Sequence, residues 1–155
     1  MRVLADRARC YVPSRVAASG EPKAEETGKL LASHLGVPWT VEAGLHEHDR
    51  RGVPFLSAQE LLDSVATFFR SPDQLVFGRE TACEAHTRFA SSVDAVLTRY
   101  PTDTIALVAH GTVIALYVAA KCGRDPFALW QELGLPSYVS LSLPEGRQLE
   151  VVGHV

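Results

Sequence analysis

Residues Thr104–Thr112, TIALVAHGT, give the clearest indication of the fold class of this chain. Its first six residues are apolar or β-branched on both faces, which is typical of a buried strand in a parallel sheet. Gly111 then lets the backbone turn tightly into a helix that runs to about Cys122 and is stopped by Gly123. A buried strand followed directly by a helix is the repeating unit of α/β folds.

The rest of the chain continues this alternation. Strands are predicted at Arg15–Ser19, Trp39–Glu42, Tyr138–Leu143 and Gln148–Val152; helices are predicted at residues 2–10, Pro22–Leu35, from the cap Ser57 to Phe69, Glu80–Tyr100, and from Asp125–Pro126 to Gly134. The pattern favours a layered α/β fold with a largely parallel sheet. Pro144–Gly146 is predicted to join the last two strands as a hairpin, which adds an antiparallel edge to the sheet.

Length and composition narrow the class of protein further. A chain of 155 residues is expected to form a single domain, and 46% hydrophobic with 21% charged residues is ordinary for a soluble globular protein. The net charge of −3 argues against a dedicated nucleic-acid binder, and the longest apolar run is broken by His110–Gly111, which predicts no membrane span. Three cysteines without CxxC spacing predict neither a disulfide framework nor a zinc site, and they favour the cytoplasm.

Charged and polar residues collect where three of the predicted strands end. Ser19–Lys23 follows the first strand, Leu45–Arg51 follows the second, and His110–Thr112 follows the third. In open α/β sheets, ligands bind beyond the carboxyl ends of the strands. The N-terminus of a helix presents free N–H groups and a positive dipole end there, which suits a phosphate or a carboxylate.

Each candidate residue has a functional and a structural interpretation. His110 is either a functional imidazole or a histidine that caps the turn between strand and helix. Lys23 lies near a helix N-terminus, where a cation is unfavourable unless an anion offsets it, and it is otherwise a surface lysine. Glu47 could donate a proton to a leaving group, or could be one carboxylate in a solvated loop.

The charged loop after the second strand raises two more possibilities. His46, His48 and Asp49 could bind a metal ion, but three nearly adjacent loop residues rarely converge on one ion, and no distant further ligand is identifiable. Arg50 and Arg51 could bind an anion, or could be loop surface. No P-loop, GxSxG elbow or GxGxxG motif is present, so the corresponding nucleotide-binding and hydrolase classes lack support.

Five stretches in fixed order resemble the histidine phosphatase superfamily, with its phosphoglycerate mutase-like members. They are AASGEPKAEETGKLLASHLG (17–36), GLHEHDRRG (44–52), GRET (78–81), LVAHGTVIALYVA (107–119) and LGLPSYVSLSL (133–143). The resemblance covers nearly the whole chain. It implies a three-layer α/β/α sandwich of the phosphoglycerate mutase type.

The resemblance also implies a chemistry, a phosphoric-ester hydrolase that works through a phosphohistidine without metal or organic cofactor. It implies that His110 is the second histidine, that Glu47 is the acid that protonates the leaving oxygen, and that Lys23 replaces a pocket arginine. Ser19, Gly111 and Thr112 would complete the phosphate pocket. The expected ligand is phosphate or a small phosphorylated molecule, with loop 50–57 and the segment Phe68–Phe77 shaping the substrate site.

One feature of the family pattern is missing from this sequence. The nucleophilic histidine belongs to an Arg-His-Gly motif after a central first strand, and no Arg-His-Gly occurs in the chain. We therefore expect the first strand, the nucleophile and one clamp arginine to be missing, and the activity to be impaired or absent. The strands on either side of the gap should close directly on each other, or another chain, most economically in a homodimer, should fill it.

These expectations leave three functions open. The chain could be a phosphatase that retains some activity through His110 or His46. It could be a non-catalytic module that binds an anion or a protein partner. Alternatively, it could be a fragment whose function belongs to a longer phosphatase.

Overall fold

A computed structural model describes residues 6–143 and 147–153. The strands are β1 (Arg15–Ser19), β2 (Trp39–Glu42), β3 (Ile105–Val108), β4 (Tyr138–Ser142) and β5 (Arg147–Val152). The helices are α1 (Pro22–Leu35), α2 (Ala58–Arg70), α3 (Ala82–Arg99), α4 (Gly111–Cys122) and α5 (Pro126–Glu132), with short 3₁₀ helices at Arg9–Tyr11 and Ala43–Leu45.

The central sheet is parallel, with the strand order β2-β1-β3. Strand β1 is the middle strand, and all of its residues after Arg15 are buried. Ser19 pairs with Glu42 at the end of β2, and Ala18 pairs with Val108 at the end of β3. The carboxyl ends of all three strands therefore lie at one edge of the sheet, where the sequence predicted the ligand site.

Helices cover both faces of this sheet, which confirms the layered α/β prediction. On one face, α1 packs through Leu31 and Ala32 against Val16. A larger core joins α2, α3, α4 and α5, and it includes Leu107 of β3. Close approach on the α1 face depends on Gly28, since a Cβ there would lie 2.6 Å from the Cβ of Ala18.

The antiparallel pairing of β4 with β5 is as predicted, but its place in the fold is not. It forms a separate two-stranded antiparallel sheet, and within the described residues β3 pairs only with β1. The expectations that the hairpin extends the sheet and that β3 and β4 close directly on each other are therefore wrong. Strand β4 pairs with β5 and meets the large core through the side chains of Val139 and Leu141, so its contact with that core is side-chain packing rather than backbone pairing.

Helix ends follow the local capping chemistry. Ser57 and Glu60 form the predicted capping box of α2. Helix α3 begins at Ala82 rather than at Glu80, because Thr81 and Glu84 form a second capping box that fixes its start. Gly36 ends α1 in the left-handed conformation, as predicted.

Two predictions reach beyond the described residues. The first predicted helix is observed only at residues 6–8, which lead into the 3₁₀ helix, and its residues 2–5 lie outside the described part of the chain. The predicted turn at 144–146 also lies outside it. Among the residues that are described, no helix is long and apolar enough to cross a membrane.

Candidate functional site

His110 joins the end of β3 to the turn that follows β1. It is the N-cap residue of α4, and its Nε2 atom lies 3.1 Å from Ser19 Oγ and 2.8 Å from Glu21 Oε2. A carboxylate only accepts hydrogen bonds, so Nε2 carries the proton that faces Glu21. The imidazole therefore presents an N–H donor at the carboxyl edge of the sheet.

The arrangement of these three side chains excludes a Ser-His-Glu catalytic triad. In such a triad the nucleophile and the carboxylate bind opposite nitrogens of the imidazole. Here both Ser19 Oγ and Glu21 Oε2 approach the same Nε2 atom of His110. Moreover, Ser19 is fully buried and its Oγ accepts a hydrogen bond from the backbone N–H of Glu21 at 3.3 Å.

Glu47 brings the loop after β2 to the N-terminus of α4. One carboxylate oxygen accepts a hydrogen bond from the backbone N–H of Thr112 at 3.2 Å, and the other accepts from the N–H of His48 at 2.8 Å. A carboxylate at this position is stabilised by the free N–H groups and the dipole of the helix. The three polar segments that follow β1, β2 and β3 therefore meet in space.

Arg50 is a member of this site that the sequence left undecided between anion binding and surface. Its Nη2 donates to Thr112 Oγ1 at 2.9 Å, and its Nε donates to His48 Nδ1 at 3.4 Å. The guanidinium carbon lies 5.3 Å from the centre of the Phe77 ring. These contacts hold a permanent positive charge beside the start of α4.

Lys23 lies in the first turn of α1, two residues after Glu21, and is exposed. Among residues 6–143 and 147–153 it makes no hydrogen bond or ion pair. The structure thus brings Ser19, Glu47, His110 and Thr112 into one hydrogen-bonded neighbourhood and leaves Lys23 at its margin. Gly111 is the first residue of α4, and its backbone lies against the indole of Trp130.

His46, His48 and Asp49 do not converge on a common point. His46 Nδ1 contacts the backbone oxygen of Glu47, whereas His48 Nε2 contacts the backbone oxygen of Glu80. Within the described ranges, no group of three or more His, Cys, Asp or Glu side chains is placed to hold a metal ion. The metal interpretation of this loop therefore has no geometric support.

His48 is instead a buried histidine that packs against aromatic rings. Its ring centre lies 4.3 Å from that of Phe68 and 4.7 Å from that of Phe77. Burial lowers the pKa of His48 below its ordinary value of 6.5, and the nearby charge of Arg50 lowers it further. A neutral His48 can accept the hydrogen bond from Arg50, so it helps to orient that guanidinium.

Arg51, the neighbour of Arg50, faces away from this network. Its guanidinium binds both carboxylate oxygens of Asp49, and these hydrogen bonds hold the pKa of Asp49 well below its usual range. Arg51 and Arg79 line a cleft together with residues from 52–56 and 77–78. Of the two segments expected to shape a substrate site, loop 50–57 lines this cleft, whereas Phe68–Phe77 contributes only Phe77.

An arginine on α3 holds the loop that carries Glu47. Arg88 donates to the backbone oxygens of Gly44 at 2.8 Å and His46 at 2.9 Å, and it pairs with Glu80 at 2.6 Å. The other contact of Glu80 is with the backbone N–H of Asp49 at 3.0 Å. Burial raises the pKa of Glu80, but Arg88 and the Asp49 N–H outweigh burial and lower it overall.

Family comparison agrees with this placement of the motifs. The family model of the histidine phosphatase superfamily (branch 1) matches residues 1–152. The chain belongs to the histidine phosphatase superfamily. This membership confirms the family resemblance that the five stretches predicted.

Solved structures with similar folds include phosphatases. A mycobacterial glucosyl-3-phosphoglycerate phosphatase, solved with VO3, superposes with a TM-score of 0.70 at 18% identity, over 90% of this chain and 74% of that chain. The same enzyme with inorganic phosphate gives 0.63 at 22% identity, over 84% and 68%. Mycobacterial hydrolase 1 gives 0.68 at 17% identity, over 88% and 73%. At these identities the likeness establishes the fold of this superfamily member.

Sequence comparison with curated proteins finds no match to this histidine phosphatase superfamily member.

Proposed function

We propose that this chain binds the phosphate group of a small phosphate monoester at the N-terminus of α4, in a site descended from a histidine phosphatase-type hydrolase. The observation that carries the proposal is the meeting of His110 Nε2–H, the Arg50 guanidinium and the α4 N-terminus around Thr112. Charged donors of this kind make the strong hydrogen bonds that phosphate oxygens accept. The vanadate and phosphate complexes of the mycobacterial phosphatase of the same fold are consistent with this ligand.

The charges of the site suit a phosphate once the internal contacts rearrange. Arg50 supplies a fixed positive charge and a bidentate fork, which the lysine at position 23 cannot supply. Lys23, exposed in the first turn of α1, contributes a second positive charge at the margin. Glu47 is the candidate acid for the leaving oxygen, as the family resemblance implies, and its carboxyl group lies beside the proposed phosphate site at the N-terminus of α4.

We further propose that turnover by this chain alone is impaired. The superfamily mechanism needs a histidine nucleophile in an Arg-His-Gly motif, and this sequence contains none. Loss of a covalent nucleophile removes most of the rate and leaves only what positioning and electrostatics provide. The alternative role is therefore a pseudophosphatase that binds its ligand without hydrolysing it.

Calorimetry with orthophosphate tests the binding proposal. We expect His110→Ala and Arg50→Gln each to weaken phosphate binding by about 10- to 100-fold, the value of a charged hydrogen bond. Arg70→Gln, at the exposed end of α2, removes the same charge away from the site and should leave the affinity within about twofold. Equal affinities in all four proteins, or no binding to any, would refute a phosphate site here.

Turnover of an aryl phosphate, with a chelator present, tests the impairment separately. We expect no turnover by the chain alone, and recovery when a strand ending in Arg-His-Gly is fused at its N-terminus. Turnover by the unfused chain that disappears in His110→Ala would contradict the impairment.

Partner and location are proposed on separate observations. The residues of β3 and β4 are only half-buried and the two strands do not pair, which favours a second copy of the chain in a homodimer. The three cysteines, all in the described part of the chain, form no disulfide, which is consistent with a cytoplasmic protein. Sedimentation at several protein concentrations tests the dimer, and a monomer throughout would contradict it.

A further inference from the structure

Glu21 is a carboxylate whose contacts have no role in the proposed function. Its Oε2 atom lies 2.8 Å from His110 Nε2 and accepts a hydrogen bond from the backbone N–H of Glu47 at 2.6 Å. The side chain is 45% exposed, so it can turn without disturbing the core. It occupies the N–H donor that a bound phosphate would use.

The carboxylates of Glu47 and Glu21 differ in which of their oxygens accept hydrogen bonds. Glu47 has backbone N–H donors on both oxygens. Glu21 uses Oε2 for both of its contacts, and its Oε1 makes no hydrogen bond within the described residues. An incoming phosphate that takes the His110 N–H therefore removes one of the two donors of Glu21 and leaves the carboxylate, beside the ligand, with the backbone N–H of Glu47.

The nearby cations do not remove this charge. Arg50 contacts Thr112 and His48 in the free chain and would bind the phosphate in the proposed site, and Lys23 makes no ion pair with Glu21. A phosphate monoester with an uncharged alcohol part brings only negative charge to the displaced carboxylate. A ligand that carries its own positive charge next to the phosphate would replace the partner that Glu21 loses.

Given the phosphate site proposed above, we propose that Glu21 selects phosphate monoesters whose alcohol part carries an ammonium group, that is, phosphate esters of amino alcohols. The phosphate takes the His110 Nε2–H, and the Glu21 carboxylate turns to the ammonium group. The Glu21 carboxylate thereby exchanges its contact with His110 for an ion pair with the ligand. Esters without a positive charge leave Glu21 facing the phosphate and bind more weakly.

Calorimetry with two probes of similar size tests this selection. O-phosphoethanolamine carries the ammonium group, and n-propyl phosphate has a methyl group in its place. We expect the chain to bind O-phosphoethanolamine about tenfold more tightly, because one close charge pair at a partly exposed site is of that order. In Glu21→Gln the preference should fall below about twofold, mainly because n-propyl phosphate binds more tightly.

Glu26→Gln is the matched control, since it removes the same charge from an exposed position of α1. It should keep the preference for O-phosphoethanolamine. Glu21→Ala provides a second variant that should lose it, and thermal denaturation checks that each variant is folded.

The outcomes separate this inference from the proposed function. Equal binding of both probes to the unmodified chain, or a preference that survives in Glu21→Gln, overturns the role of Glu21 while phosphate binding stands. Failure of orthophosphate and of both probes to bind the chain and Glu21→Gln overturns the phosphate site, and the selection falls with it.

Discussion

Replacing Arg88 with methionine should destabilise the protein by removing the contacts that hold the Glu47 loop. Arg88 is 21% exposed and Glu80 is 14% exposed, so their ion pair is largely shielded from water. The substitution also removes the donors for the backbone oxygens of Gly44 and His46. Breaking a buried ion pair costs about 3–5 kcal/mol. Because the Arg88–Glu80 pair is still partly exposed to water, we expect the free energy of unfolding to fall by about 3 kcal/mol.

Thermal and urea denaturation measure this cost. For a chain of this size, about 3 kcal/mol corresponds to a fall in Tm of roughly 6–12 °C. The matched control is Arg99→Met, because Arg99 pairs with Glu42 but is 51% exposed, and a pair of this kind contributes at most about 1 kcal/mol. If Arg88→Met and Arg99→Met cost the same within about 0.5 kcal/mol, the anchoring role of Arg88 is wrong.

The pH dependence of the Arg88 effect provides an independent check. Because the pKa of Glu80 is lowered in the fold, its ionised form stabilises the protein above the ordinary pKa of 4.5, and this stabilisation is lost as the pH falls through the lower folded value. The stability difference between the unmodified chain and Arg88→Met should therefore shrink in acid. A difference that stays constant from pH 7 to pH 3 would contradict the pairing.

Further predictions concern the residues around this loop. Burial lowers the pKa of His48 in the folded protein, so the unfolded chain binds a proton at a higher pH than the folded protein does. The free energy of unfolding should therefore decrease as the pH drops through 6.5 towards the pKa of folded His48. His48→Phe should reduce that slope in urea denaturation, and an unchanged slope in His48→Phe would contradict a neutral buried imidazole. Gly78→Ala should cost at least about 3 kcal/mol, because φ is +79° and a Cβ would lie 2.3 Å from the Asp49 oxygen. Gly36→Ala, at φ +70° with open space around it, should cost only about 1 kcal/mol. Equal costs for the two substitutions would contradict the close packing of Gly78 against the backbone oxygen of Asp49.

Local signals made most of the fold predictable. Strands β1 and β2 begin and end at the predicted residues, because short apolar runs between turn residues define them. Capping chemistry placed α2, and the same chemistry at Thr81 and Glu84 explains why α3 begins two residues later than its apolar periodicity suggested. The alternation of residues predicted the antiparallel pairing of β4 with β5, but not that this pair forms a sheet of its own, because that depends on what lies beside β3.

The sequence predicted the site residues that directly follow the ends of parallel strands, because these ends lie at the same edge of the sheet. His110 and Ser19 are 91 residues apart, but the parallel sheet brings both to the same edge. Arg50 and Glu21 could not be assigned in the same way, because their roles depend on side-chain direction within a loop and a turn. The role of Arg88 was not predicted, because the backbone oxygens that it binds lie 41–44 residues away in the loop after β2, and helix periodicity alone does not identify them.

A crystal structure of the chain with orthovanadate would show whether an anion binds at the N-terminus of α4. We expect the anion there, within hydrogen-bond distance of His110 Nε2 and the Arg50 guanidinium, with Glu21 turned away from His110. Vanadate bound elsewhere, or a site that still holds the contact between Glu21 and His110 at saturating vanadate, would contradict it.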